Sequence, residues 1–183
     1  LIPATRQAFS VVMDSEVQLH PRAVVCNEAV ITGKVTIGAD SVVHPKATIS
    51  ATKGPIVIGE RNLIEETALI ENLNEDGSPL VIGDDNYVEI GAVVRARSIG
   101  SRNVFGIQSV VGTEVVVTDG CSVGVRCSVQ KRGDLAPRTC VYGEHNQRRV
   151  AAMDPEPQTA LLEVLRKVFP SYHHLKKSTA STA

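Results

Sequence analysis

The sequence predicts an all-β protein, a triangular parallel β-helix of about seven coils with a C-terminal α-helix packed on one wall. An aliphatic or aromatic residue recurs at every sixth position, a period that fits neither an α-helix nor a simple half-buried strand. A predominantly small residue follows four positions later, and glycine often follows directly. After residue 146 this repeat gives way to an amphipathic helical pattern.

Composition favours one folded soluble domain. The 183 residues are 43% hydrophobic but only 3% aromatic, so the core is built mainly from β-branched residues, which suit strands. With 19 Lys+Arg against 20 Asp+Glu there is no global field to hold nucleic acid or an acidic membrane surface. The cysteines form no C-x-x-C pair, and neither a signal peptide nor a long apolar run is present, which favours a reducing cytosol.

Each hexad is interpreted as a short flat strand and a sharp corner, so that three hexads close a coil of roughly 18 residues. The aliphatic residue fills the interior, the small residue lies where walls converge, and the glycine supplies backbone angles that other residues adopt at a cost. The predicted core positions are Val25, Ile31, Ile37, Val43, Ile58, Ile64, Ile70, Ile82, Val88, Val94, Ile99, Phe105, Val111, Val117, Val123 and Val129.

Three irregularities interrupt the repeat. Three extra residues between Ile49 and Ile58 predict a small corner loop, and one residue is missing between Val94 and Ile99. Polar and turn-forming residues at 71–81 predict a protruding loop. The repeat is thus expected to continue through all three interruptions.

The segment after the repeat predicts one helix of about 11 residues that begins near Gln158 and ends at Pro170. Its predicted docking face consists of Leu161, Leu165, Val168 and Phe169. The expected organisation is an N-terminal cap segment at 1–24, the β-helix at 25–146, a linker and helix at 147–172, and a basic, disordered tail at 173–183.

The [LIV]-G-x-x-[small]-x hexads resemble the hexapeptide-repeat family, which implies a left-handed parallel β-helix. The hand comes from this resemblance, because parallel crossovers are in general right-handed. Members of the family are commonly acyltransferases or zinc-dependent carbonic anhydrases. The three zinc-binding histidines of the γ-class carbonic anhydrase pattern correspond by hexad phase to Glu71, Ile90 and Arg95. Because an aliphatic side chain and a guanidinium cannot ligate zinc, no metal or cofactor site is expected there.

An acyltransferase would need a general base, usually a histidine in a cleft. The candidates are His20, His44, His145, His173 and His174. His44 is expected at a corner with its side chain outward, His145 in the last hexad, and the other pair in a solvated tail or minor docking patch. A surface or structural role is expected for each, and an acyltransferase-like enzyme with an atypical site at His44 or His145 is the alternative.

Other reactive side chains have structural interpretations. Glu65, Glu66, Glu71 and Glu75 are expected to form a charged outer wall rather than acid–base groups. Cys121 and Cys127 occupy small-residue positions and are expected in the core. No catalytic, metal-binding or cofactor-binding residue is therefore predicted.

Three longer segments resemble the dynactin subunit 6 family: GPIVIGERNLIEETALIEN at 54–72, VIGDDNYVEIGAVVRARSIGSRNVF at 81–105, and the region 141–177 that ends in PSYHHLKK. The resemblance implies a non-catalytic structural or adaptor subunit of the dynactin pointed-end complex that supports dynein cargo or adaptor attachment. It implies dynactin subunit 5 as partner, with subunit 4 and the pointed-end actin-related protein in the same complex, and neither nucleic-acid binding nor membrane insertion. The implied location is cytoplasm and cytoskeleton, including the kinetochore.

The ends of the column are the expected points of contact, because an open β-helix end exposes unpaired backbone groups. The helix is expected to shield the end that it follows. The other end, near Val25 to Val30, is expected to meet a partner β-helix. A free-standing homotrimeric scaffold is a third possibility.

Overall fold

The computed structural model describes residues 16–130 and 134–177, and in them eighteen strands and one helix. In chain order they are β1 (Val17–Leu19), β2 (Val24–Val25), β3 (Val30–Ile37), β4 (Val42–Val43), β5 (Thr48–Ile58), β6 (Leu63–Ile64), β7 (Leu69–Glu71), β8 (Leu80–Ile82), β9 (Tyr87–Val88), β10 (Val93–Val94), β11 (Ser98–Ile99), β12 (Val104–Phe105), β13 (Val110–Val111), β14 (Val116–Val117), β15 (Ser122–Val123), β16 (Ser128–Val129), β17 (Thr139–Tyr142), β18 (Gln147–Val150) and α1 (Thr159–Tyr172).

These strands form the three walls of a triangular column. Wall I stacks β2, β4, β6, β9, β12, β15 and β17 in parallel and ends with the antiparallel β18. Wall II stacks the first halves of β3 and β5 with β7, β10, β13 and β16, and wall III stacks β1, the second halves of β3 and β5, β8, β11 and β14. The predicted fold class, a parallel β-helix of about seven coils with a C-terminal α-helix, is confirmed.

The strand register follows the length of each coil. Val24 pairs with Val42, eighteen residues later, as three regular hexads require. The next two coils are longer, since Val42 pairs with Leu63 and Leu63 with Tyr87, whereas the coil that joins Tyr87 to Val104 is one residue short of eighteen. The longest insertion leaves the column as a loop at 72–79, slightly shorter than the expected 71–81, because Glu71 and Leu80 belong to strands.

Inward-facing aliphatic residues fill the column. Of the hexad positions named above, all but one are at most 4% exposed and belong to a single core cluster. Ile31 is half-buried and only packs against this cluster, because it lies in the first described coil of wall II. Cys121 and Cys127 are buried in the same cluster as free thiols.

The glycines that follow the core residues allow close stacking of the coils rather than unusual backbone angles. A Cβ on Gly59 would lie 2.7 Å from the carbonyl oxygen of Gly83, so a larger residue would push two coils apart. Neither glycine has a positive φ; the left-handed conformation falls two positions later, at Arg61 and Asp85. The expected role of these glycines is therefore wrong, since space and not backbone freedom requires them.

Buried asparagines line one corner of the column at positions where small residues were expected. The amide N–H of Asn86 donates to Oδ1 of Asn62 at 3.0 Å, and the N–H of Asn103 donates to Oδ1 of Asn86 at 3.0 Å. The series continues on the preceding coil, where Ser41 Oγ accepts from the Asn62 N–H, and on the following coil, where the Cys121 N–H donates to Oδ1 of Asn103. The asparagine side chains thus accept hydrogen bonds from main-chain N–H groups at the corner, where strand pairing between coils supplies no acceptor.

The helix α1 lies on the outer face of wall I, along its first coils. It continues past the expected end at Pro170, and the His173 N–H closes its last turn by donating to the Phe169 carbonyl at 2.8 Å. Leu162 and Phe169 are buried, so Leu162, absent from the predicted face, is a main docking residue. Val168 is 40% exposed, and its predicted docking role is wrong because it lies at the edge of the buried stripe.

The predicted docking residues Leu161 and Leu165 are half-buried against the same cluster as Phe169. Their outer-wall partners are Val24, Cys26, Val42, Leu63 and Tyr87. These strands are therefore covered on both faces at the N-terminal end of the column.

The chain closes both ends of wall I with antiparallel segments. At the upper end β18 pairs with β17, and at the lower end Leu175 bridges Cys26 in antiparallel register. The Asn27 N–H donates to the His174 carbonyl at 2.8 Å, and the Lys176 N–H donates to the Val25 carbonyl at 2.8 Å. The expectation that α1 shields the end that it follows is wrong, since α1 returns to the opposite end.

The expected domain limits differ from the structure at three points. The column already includes β1 and begins β2 at Val24, before the expected limit at residue 25, and the hairpin of wall I extends it to Val150. Residues 173–177 are ordered on the first coil rather than disordered. The rest of the expected tail, 178–183, and most of the expected cap, 1–15, lie outside the described residues. Within the described ranges, no helix has the length and hydrophobicity needed to cross a bilayer.

Candidate functional site

His44, the first candidate base, is enclosed rather than open to a substrate. It follows β4 at a corner of the column and points outward, as expected, but α1 covers it and leaves 7% of it exposed. Its Nδ1 lies 2.8 Å from Oε1 of Glu66, and its ring meets Phe169 edge to face with centroids 4.7 Å apart. Since a general base must reach the proton it removes, this environment favours a role in holding the helix.

Glu66 is the charged partner in this contact. Burial raises the pKa of its carboxyl, but the hydrogen bond with His44, a backbone hydrogen bond, and the charges of His44 and His173 together bring the pKa below its ordinary value. The carboxylate is therefore ionised at neutral pH and accepts the hydrogen bond, so Nδ1 of His44 carries the donated proton. The pair joins the second coil to the third.

Of the remaining histidines, only His173 lies near His44 in the described part of the chain, on the same Phe169 ring. His145, the second candidate base, is exposed in the turn between β17 and β18, at the far end of the column. His20 is exposed and accepts a hydrogen bond from the Arg22 N–H at 3.1 Å. His173 is half-buried against Phe169, whereas His174 is exposed.

The positions that correspond to carbonic anhydrase zinc ligands form an ion pair instead. Nε of Arg95 donates to Oε2 of Glu71 at 2.8 Å, on the outside of the column. Ile90, the third position, is 44% exposed at a corner. The paired guanidinium places a fixed positive charge where the family enzymes hold a cation, so these residues do not fit a zinc ion.

Other predicted outer-wall carboxylates orient the backbone. Glu65 accepts hydrogen bonds from the Tyr87 hydroxyl at 2.8 Å and from the Ile90 N–H at 3.2 Å. Burial, together with the hydrogen bond and the charge of Glu65, raises the pKa of Tyr87. Glu75 lies on the loop at 72–79, in a polar cleft that also includes Lys53. These contacts are structural, since each carboxylate either carries a fixed partner or faces solvent.

Wall II carries an uncovered row of apolar side chains. Leu69, Val93 and Val110 face outward on three consecutive coils, because their neighbours Ile70, Val94 and Val111 fill the core. Each is half-buried, and among the described residues none belongs to the cluster that α1 covers. On wall III the outward row is interrupted after Val57 and Val81 by Ser98.

A second apolar row lies at the corner between walls I and II. Ile90, Ile107 and Val125 are 44%, 40% and 59% exposed, and they occupy equivalent corner positions on successive coils. The Ile107 N–H donates to Oε2 of Glu89 at 2.9 Å, and Glu65 holds Ile90 in the same way. We call Leu69, Val93, Val110, Ile90, Ile107 and Val125 together the wall II face. Hydrogen bonds to the Ile90 and Ile107 N–H groups fix the backbone at two of its corner positions, which lowers the ordering cost of binding there.

Two relatives that match about nine-tenths of this chain are named dynactin subunit 6. Dynactin subunit 6 of Danio rerio is 47% identical over 176 residues, covering 91% of this chain and 90% of the relative. Dynactin subunit 6 of Caenorhabditis elegans is 43% identical over 171 residues, covering 92% of this chain and 94% of the relative. The chain belongs to the dynactin subunit 6 family. No protein-family model matches the sequence.

More distant similarity connects this dynactin subunit 6 family member to enzymes. A hexapeptide transferase family protein from Anaplasma phagocytophilum superposes with a TM-score of 0.65 at 15% identity, covering 85% of this chain and 89% of the other, which shows the fold alone. A carbonic anhydrase of Methanosarcina thermophila is 32% identical over 134 residues, 68% of this chain but 53% of the enzyme. In this chain an ion pair joins Glu71 and Arg95, two of the three positions that hexad phase assigns to zinc ligands.

Sequence reasoning missed several residues of these surfaces. Leu162 was overlooked because neighbouring leucines fit the helical period equally well. Adjacent apolar pairs such as Val42–Val43 and Leu63–Ile64 are a signal for the covered wall, since a strand with one face in water would carry a polar residue first. The same signal at Val93–Val94 marks the wall II face, where no described segment provides the cover.

Proposed function

We propose that the chain is a non-catalytic structural subunit of the dynactin pointed-end complex, in the cytoplasm, where it supports attachment of dynein cargo or adaptors. Similarity to dynactin subunit 6 along nine-tenths of both chains carries this proposal. The sequence resemblance at 141–177, which lies mostly beyond the hexapeptide repeat, supports it as well.

The enclosed histidine supports a non-catalytic role. Acyl transfer needs a base that meets both substrates, and α1 covers His44 with Phe169. His145 lies alone in an exposed turn. The chain forms a column with part of one wall covered by its own helix. This arrangement suits a structural subunit that binds other proteins through its outer walls.

The wall II face is our proposed contact for dynactin subunit 5, with subunit 4 and the pointed-end actin-related protein in the same complex. Its two apolar rows run along the column for several coils, which matches a partner that is itself a straight β-helix. Apolar surface of this kind, uncovered on a single chain, is typical of an interaction site. The fixed corner amides add no flexibility that binding would have to remove.

Size-exclusion chromatography with light scattering tests this proposal. The full chain should be a monomer or dimer alone and should convert to a 1:1 complex when mixed with dynactin subunit 5. Ile107→Asp places a charge at the centre of the proposed contact and should weaken the complex at least tenfold, because an unpaired charge resists burial.

Val81→Asp is the matched control, since Val81 is 47% exposed on wall III and should leave the complex intact. Equal losses from both variants would move the contact away from the wall II face. A stable homotrimer that ignores dynactin subunit 5 would contradict the adaptor role itself and return attention to an enzyme site between identical chains.

A further inference from the structure

Three metal-ligating side chains meet where the C-terminal tail joins the first coil. Sγ of Cys26, a carboxylate oxygen of Glu28 and a ring nitrogen of His173 all lie within 4.8 Å of one another. Cys26 is fully buried, His173 is half-buried and Glu28 is exposed. The cluster therefore has a closed inner side and one side open to water.

The backbone holds two of these residues in place from different ends of the chain. Cys26 follows β2 and is bridged to Leu175, while His173 ends α1 in an extended conformation. The Asn27 N–H bonds to the His174 carbonyl next to them, and the His173 ring packs on Phe169 at 4.9 Å. The side chains meet because the fold brings both segments together, not because they are neighbours in sequence.

We propose that Cys26, Glu28 and His173 bind a zinc ion that fastens the C-terminal tail to the first coil. A thiolate, an imidazole and a carboxylate are the donors that zinc prefers, and an open fourth position can take water. Zinc bonds of about 2.0–2.3 Å place tetrahedral ligands about 3.5 Å apart. Rotation of the exposed Glu28 side chain and a small shift of His173 would supply that contraction.

The surrounding charges favour a cation. Burial, with the negative charges of Glu28 and Glu66, raises the pKa of the Cys26 thiol to about 11. The negative charges of Glu28 and Glu66 favour a divalent ion, whereas burial opposes it; an ion that binds displaces the thiol proton. The carboxylate of Glu66, which is hydrogen-bonded to His44, also interacts electrostatically with His173 and adds negative charge near the ligands. Lys176, the nearby cation, directs its Nζ to the Asn27 carbonyl at 3.2 Å.

This site is distinct from the carbonic anhydrase positions, which lie on later coils and hold the Glu71–Arg95 pair. Its ligands join the two ends of the chain, so its effect is structural. A bound ion would tie the end of α1 and the tail to the first coil, next to the contact between His44 and Phe169.

Cobalt titration of the full chain, stripped of metal with a chelator, tests the proposal. A 1:1 complex should form with the near-ultraviolet absorption of a thiolate–cobalt bond, and zinc should abolish that absorption by displacement. Cys26→Ser should remove the absorption, whereas Cys140→Ser, at a half-buried cysteine outside the cluster, should preserve it.

The remaining ligands have matched controls that protect the test against misfolding. His173→Ala should weaken zinc binding at least tenfold, and His174→Ala, the exposed neighbour, should not. Glu28→Gln keeps the size of an exposed side chain and should also weaken binding about tenfold, unlike Glu144→Gln in the distant hairpin.

Hydrogen exchange provides a readout of the structural effect. Zinc should slow exchange in residues 173–177 at least tenfold in the parent chain and leave it unchanged in Cys26→Ser. Absence of cobalt absorption in a folded chain would overturn the proposal. So would zinc binding that survives Cys26→Ser and Glu28→Gln, since the ion would then lie elsewhere.

Discussion

Buried asparagines at one corner show how single residues hold the coils in register. Oδ1 of Asn86 accepts hydrogen bonds from both the main-chain and side-chain N–H groups of Asn103, and its own amide donates to Asn62 and to the Gly100 carbonyl. Each asparagine thus connects the coil below to the coil above. A change at one position leaves unsatisfied groups on both neighbours.

Replacing Asn86 by alanine should therefore destabilise the protein by about 2–4 kcal/mol, the cost of buried groups left without partners. Equilibrium unfolding in urea measures this loss. Asn27→Ala, at an exposed asparagine, is the control and should change the free energy of unfolding by less than about 0.5 kcal/mol. A similar change in the free energy of unfolding for both variants would show that the buried asparagines do not contribute specially to stability.

Glu66 gives the fold a dependence on pH. Its folded-state pKa lies below the ordinary value of 4.5, through its hydrogen bond with His44 despite the opposing effect of burial. Its stabilising contribution is therefore complete above the unfolded-state pKa and is lost as the pH falls through the folded-state pKa.

The comparison of the parent chain with Glu66→Gln tests this dependence. The parent should have the higher free energy of unfolding at pH 7, and the difference should shrink as the pH drops below about 4.5. A difference that stays constant from pH 7 to pH 3 would show that the charge of Glu66 is irrelevant. Thermal unfolding followed by circular dichroism at a series of pH values supplies the measurement.

At the scale of elements, α1 binds the column through a narrow stripe. Leu162 and Phe169 are 5% and 7% exposed, whereas Val168 is 40% exposed. Arg166 adds an ion pair to Asp40 at 2.6 Å, which ties the helix to a corner of the second coil. The docking energy is concentrated on few side chains.

Leu162→Ala should cost about 2–4 kcal/mol, since it removes a buried leucine from a packed contact. Val168→Ala should change stability by no more than about 0.5 kcal/mol and serves as the matched control. Chemical denaturation compares the two directly. A larger loss of stability from Val168→Ala than from Leu162→Ala would support the docking face predicted from the helical period, which includes Val168.

The sequence predicts the β-helical column well, but it does not predict where the C-terminal helix and tail pack. The hexad period is a local rule, and it indicates inward positions such as Val111 and Phe105 without knowledge of distant residues. The position of α1 depends on a contact between the two ends of the chain, so the helical pattern could predict the helix but not the wall or end that receives it. The Cys26–Glu28–His173 cluster was hidden for the same reason.

At the scale of the whole molecule, the repeat would let each coil depend on its neighbours only. The segment after β18 changes this, because it runs back toward the N-terminal end of the column. Asp154 in this segment forms an ion pair with Arg102 at 2.9 Å, and α1 then packs on the first coils. The C-terminal segment thus covers the outer face of the N-terminal coils.

Undocking the helix should therefore expose one end of the column selectively. The double variant Leu162→Asp and Phe169→Asp should lose hydrogen-exchange protection in β2, β4 and β6 while β12 and β15 remain protected. Val164→Asp with Val168→Asp, both at exposed positions, should leave all five strands protected. Equal loss along the whole column would indicate that the coils unfold as one unit.

The antiparallel segments at the two ends of wall I also set a limit on polymerisation. A parallel column can in principle lengthen without end, because each copy could place its first coil on the last coil of the next and so build a fibre. Here the incoming copy would meet β18, whose direction is reversed and whose strand carries Arg148 and Arg149, and it would offer its own reversed tail segment in return. Both ends of this wall therefore carry a reversed segment, which opposes end-to-end stacking of identical copies along wall I.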